Sequence, residues 1–117
     1  MSINKNVERR KQMELSEIQK IVNDFNKEKN INNTLEIRII DLISEMGELS
    51  KELLKSTNYG ITDFKTSEEW RGEIADILYS IICIANETGI DLEKSFKDVL
   101  VKYDKRFKDK GHIGSEN

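Results

Sequence analysis

Leu42-Ile43-Ser44-Glu45-Met46-Gly47-Glu48-Leu49 sets two carboxylates three residues apart inside an apolar run. Trp70-Arg71-Gly72-Glu73-Ile74-Ala75-Asp76-Ile77 repeats the layout further on. Three helical residues turn through about 300°, so each pair lies on one face, one turn apart. Two such helices packed antiparallel aim four carboxylate groups at one place. With no Lys or Arg between them, these acids repel one another unless a cation sits among them. Oxygen-only ligands suit a hard divalent ion, Mg²⁺ or Mn²⁺.

The flanking periodicity makes both stretches helical. Leu35, Ile39, Leu42, Ile43, Met46, Leu49 and Leu53 form one stripe, with Asp41, Glu45, Glu48 and Glu52 along its edge. Trp70, Ile74, Ile77, Leu78, Ile81, Ile82 and Ala85 form a second, edged by Glu69, Glu73, Asp76 and Ser80. A solvated charge face would lie opposite the stripe instead. Outside this pair, Leu15, Ile18, Ile21, Val22 and Phe25 predict a first helix. Leu92, Phe96, Val99, Leu100, Tyr103 and Phe107 predict the buried face of a basic fourth helix. Thr34 and Asp91 have N-cap chemistry, and Thr66 with Glu69 has capping-box spacing. Gly60 marks the long connection at residues 56–65, while Gly89 and Gly111 mark helix ends. The expected fold is all-α, a four-helix-type bundle, with an extension at 1–14, one domain at 15–110 and a tail at 111–117.

Composition agrees. A chain of 117 residues predicts one domain. Charged residues make up 35% and proline is absent, which favours long amphipathic helices over sheet. A net charge of −3 offers no footprint for a nucleic acid polymer. The single cysteine, Cys83, forbids an intrachain disulfide and fits a reducing cytoplasm. The charged start, Lys5 to Lys11, lacks the apolar core of a signal peptide. No apolar run is long enough for a membrane span.

The donor set narrows the chemistry. A di-iron bundle needs Glu-x-x-His partners, but the sole histidine, His112, lies in the tail. Zinc would want His or Cys within the cluster. A carboxylate-held Mg²⁺ serves best where the substrate brings phosphate oxygens of its own. Lys102 and Arg106, one turn apart, can meet leftover phosphate charge. The chemistry is metal-assisted hydrolysis of a phosphoanhydride. No Gly-rich phosphate loop is present, which excludes a P-loop nucleotidase.

Glu45-x-x-Glu48, Glu73-x-x-Asp76, Ile84-Ala-Asn-Glu-Thr-Gly-Ile-Asp-Leu92 and Lys102-Tyr-Asp-Lys-Arg106-Phe resemble, in order, the MazG-like all-α NTP pyrophosphatase superfamily. The resemblance spans about residues 15–110. It implies Mg²⁺-dependent hydrolysis of (deoxy)nucleoside triphosphates to the monophosphate and pyrophosphate, with water attacking the α-phosphorus. It implies Glu45, Glu48, Glu73 and Asp76 as metal ligands and catalytic groups. Lys102, Arg106 and Asn86 would contact substrate. A homodimer or homotetramer follows from the same resemblance, with a neighbouring subunit often completing the pocket. The chain departs at Ser44, where many relatives carry an acid, and at Ser80, where many carry an aromatic. Phe25 alone represents the first-helix aromatics that stack the base in some relatives. The departures motivate the alternative of a non-catalytic bundle that binds nucleotide or a partner protein.

Individual residues carry plainer readings too. Trp70 reads as core or interface, Cys83 as a small buried apolar group, and Tyr79 as a surface or subunit contact. Asn86 either meets substrate or helps end its helix.

Overall fold

The computed structural model describes residues 12–115. Residues 1–11 of the expected extension and 116–117 of the tail lie outside the described residues. Four helices follow in order: α1 Leu15–Glu28, α2 Leu35–Ser56, α3 Glu68–Glu87 and α4 Leu92–Lys110. There is no strand among the described residues, so the all-α expectation holds.

Local chemistry sets the boundaries. Thr34 Oγ1 accepts from the Ile37 amide at 3.3 Å and starts α2. Asp91 Oδ1 accepts from the Lys94 amide at 3.2 Å and starts α4. α3 begins one residue later than its sequence implies. Ser67, not Thr66, is the cap, with Oγ accepting from the Trp70 amide at 3.1 Å. Adjacent hydroxyl residues are chemically equivalent caps, so spacing alone could not choose between them. Gly111 ends α4 at φ +78°, where a side chain would be strained. The connection between α2 and α3 is pinned by Ser56 Oγ. It donates to the Lys65 carbonyl at 2.8 Å and accepts from the Lys65 amide at 3.0 Å. Beyond it the Phe64 and Trp70 rings meet edge to face, centroids 4.7 Å apart.

α3 is the central helix: α2 packs along it and α1 crosses it, while α4 packs on α1. Its Ile82, Cys83 and Ala85 are the buried apolar residues of the described chain. The radius of gyration is 17.4 Å, against about 13 Å for a closed domain of this length. The helices therefore do not close around one core. Ile43, Met46, Phe96, Leu100 and Phe107, expected in buried faces, are exposed; Ile43 keeps 65% of its accessible surface. The amphipathic stripes are present, but within one chain these five side chains stay largely uncovered.

Candidate metal centre and adjoining cavity

α2 and α3 run antiparallel, so the acid-bearing edges of their stripes face each other. Glu45 of α2 meets Glu73 and Asp76 of α3, each offering a carboxylate oxygen within 4.8 Å of the others. One Glu73 oxygen, Oε2, is buried without any hydrogen-bond partner. A buried carboxylate oxygen in that state carries a desolvation penalty that a cation would offset. Partial burial pushes the Glu45 carboxyl above its ordinary 4.5. The Asp76 charge raises it further, as do a hydrogen bond with Glu73, the Glu73 charge and Asp41. A cation bound there would oppose this shift, because it favours the ionised carboxylate. The donors are all oxygen, clustered and short of positive charge, and so they fit a hard divalent ion.

A cavity of about 350 Å³ opens beside these acids, lined by Phe25, Arg38, Asp41, Glu45, Asp76 and Ser80, with Tyr79. Phe25 therefore stands at the acids, as does the serine at position 80. A second, polar cavity of about 390 Å³ adjoins it, reached by α1, the segment after α1, and the C-terminal end of α3. Arg38 borders both. It is 8% exposed, and its guanidinium carbon lies 5.5 Å from the Tyr79 ring centre.

The remaining expected site residues are placed differently. Glu48 is outside the cluster, half-exposed, with one oxygen 3.7 Å from Lys51 Nζ. Lys102 stands over the Tyr103 ring, and Arg106 donates to the Ile113 carbonyl at 3.1 Å. Neither lines the acidic cavity. Asn86 borders the polar cavity, yet its amide is engaged by Gln19. Gln19 Nε2 donates to Asn86 Oδ1 at 3.1 Å, and Asn86 Nδ2 donates to the Gln19 carbonyl at 3.0 Å. Gln19 also donates to the Ile90 carbonyl and accepts from the Leu92 amide, so it ties α1 to the α3–α4 turn.

Sequence reasoning passed over Arg38 and assigned Tyr79 to a surface or subunit contact. Tyr79 is half-buried; its hydroxyl donates to Asn26 Oδ1, while Asn26 Nδ2 reaches Cys83 Sγ at 3.4 Å. The available signal was a guanidinium four residues after Thr34, on the side of α2 that also carries Asp41 and Glu45.

No helix among the described residues is long and apolar enough to cross a membrane. No solved structure matches the chain. The uncharacterized protein YpjD of Bacillus subtilis (strain 168) is 35% identical over 72 residues. That match covers 59% of this chain and 63% of the relative, less than two thirds of its length. The MazG nucleotide pyrophosphohydrolase domain matches residues 33–110, from the cap of α2 to the end of α4. With more than half its length matched, and Glu45, Glu73 and Asp76 brought together between α2 and α3, the chain belongs to the MazG nucleotide pyrophosphohydrolase family.

Proposed function

We propose that the protein is a Mg²⁺-dependent nucleoside triphosphate pyrophosphohydrolase, converting (deoxy)nucleoside triphosphates to the monophosphate and pyrophosphate. The observation that carries this reading is the Glu45, Glu73 and Asp76 cluster with its unpartnered buried Glu73 oxygen. Mn²⁺ fits the same donors. A divalent ion bound there would supply charge neutralisation for phosphate oxygens and a more acidic water.

The side chains then have separable roles. Glu45, Glu73 and Asp76 hold the cation, and a carboxylate that the cation leaves free can accept a proton from water. Glu48 is the proposed fourth acid. Its exposed pair with Lys51 is worth only about 0.2–0.5 kcal/mol, so little opposes its turning inward. Lys102 and Arg106, which do not line the acidic cavity, are proposed to meet phosphate across a subunit contact. The exposed apolar faces of α2 and α4 support a homodimer or homotetramer.

Product analysis in H₂¹⁸O tests the proposal. The expected result is pyrophosphate and a nucleoside monophosphate carrying the label. Release of orthophosphate, or no hydrolysis across all dNTPs with Mg²⁺, would refute it.

A further inference from the structure

We infer that the polar cavity beside the acids is a base pocket selective for guanine, with Arg38 as the specificity-determining residue. The inference rests on the proposed nucleotide hydrolysis and adds the identity of the base. Arg38 is 8% exposed, and no carboxylate pairs with it among the described residues. Its neighbour is the Tyr79 ring, whose single oxygen can satisfy few of the five guanidinium N–H groups. Arg38 borders open space on two sides, so guanidinium N–H groups that Tyr79 does not take can meet an acceptor on a ligand.

Position along α2 relates this group to the acids. Arg38 precedes Glu45 by seven residues, about 10 Å and two turns along the same helix. With phosphates held at the acids, the far end of a nucleotide lies toward Arg38 and the second cavity. The frame there is rigid. Asn26 is bound to Tyr79 and Cys83, and Asn86 to Gln19. The other charged groups on the cavity are Lys27 and the carboxylate of Glu87, both exposed, and Glu87 is the acceptor of the two.

Guanine is the base this pair complements. A guanidinium only donates, and guanine presents two adjacent acceptors, N7 and O6, on one edge. Adenine sets an amino group beside N7, so one N–H would face another. A carboxylate only accepts, and guanine's next edge carries adjacent N1–H and N2–H donors. Cytosine and thymine present no such pair of donors.

The test measures pyrophosphate release from the four dNTPs by the full chain and by Arg38→Met. It also measures binding of dGMP and dAMP without metal. The expected result is a preference for dGTP over dATP of about 5- to 150-fold, the range for a bidentate Arg–guanine contact. Arg38→Met should bring that ratio near one. Where Arg38→Met fails to fold, Arg38→Lys carries the comparison, because it keeps the charge and loses the fork. Equal use of all four dNTPs would overturn the inference and leave the proposed reaction standing. So would an equal loss across all four in the variant, which would make Arg38 a phosphate contact. If nothing is hydrolysed, tighter dGMP than dAMP binding, lost in the variant, still supports the base pocket. Equal or absent binding overturns it.

Discussion

Glu45 of α2 and Glu73 of α3, 28 residues apart in sequence, place carboxylate oxygens within 4.8 Å of one another and of Asp76. Nothing basic is inserted between them, so the metal-free arrangement works against folding. Asp76→Asn should therefore stabilise the metal-free protein, by a few tenths to about 1 kcal/mol because Asp76 is exposed. The same change should remove the stabilisation by Mg²⁺, which a ligand of the native state must otherwise give. Urea unfolding in EDTA and in Mg²⁺ reads both effects. A loss of stability in EDTA would contradict the repulsion argument.

The raised Glu45 carboxyl gives a pH dependence of defined sign. Folded protein holds this proton above 4.5, where the unfolded chain has released it. The group's stabilisation is complete below the unfolded value and is lost as pH rises through the raised folded value. Cation affinity runs the other way, because binding expels the proton. Mn²⁺ affinity should weaken as pH falls from about 7 to about 5. Affinity flat over that range would show that no shared proton competes.

Glu48→Gln separates geometry from chemistry. Glu48 contributes only an exposed pair with Lys51, so helix content and melting temperature should stay unchanged. Turnover should fall by about 100-fold or more if the side chain joins the cation. Circular dichroism and pyrophosphate release check the two halves. Full activity would remove Glu48 from the site.

Gln19→Leu should destabilise the fold by about 2–4 kcal/mol. It leaves Asn86 Oδ1, the Ile90 carbonyl and the Leu92 amide without their side-chain partner in a part-buried place. Denaturant midpoints measure this. A loss below about 0.5 kcal/mol would mean that water replaces the side chain.

The exposed α2 face should drive self-association, and Ile43→Glu should reverse it. Sedimentation at micromolar concentration distinguishes a dimer or tetramer from a monomer. A monomeric wild type would contradict this use of the face.

What the sequence disclosed followed physical range. Thr34, Asp91 and Gly111 act within one turn, and their caps were legible. The facing of Glu45 with Glu73 and Asp76 needed only helical periodicity and an antiparallel pair. Arg38 was not legible, because its burial depends on Tyr79 from another helix. Asn86 was recognised as special, but its bonds to Gln19 require α1 to cross α3. Ile43 and Phe96 show a further limit: period marks an apolar face without telling which surface covers it.

The most direct measurement is calorimetric titration of Mn²⁺ into wild type and Glu73→Gln near pH 7.5. The account predicts saturable binding by wild type and its loss in the variant, with both proteins equally helical. Absence of binding, or equal binding by the two, would contradict a cation centre between α2 and α3.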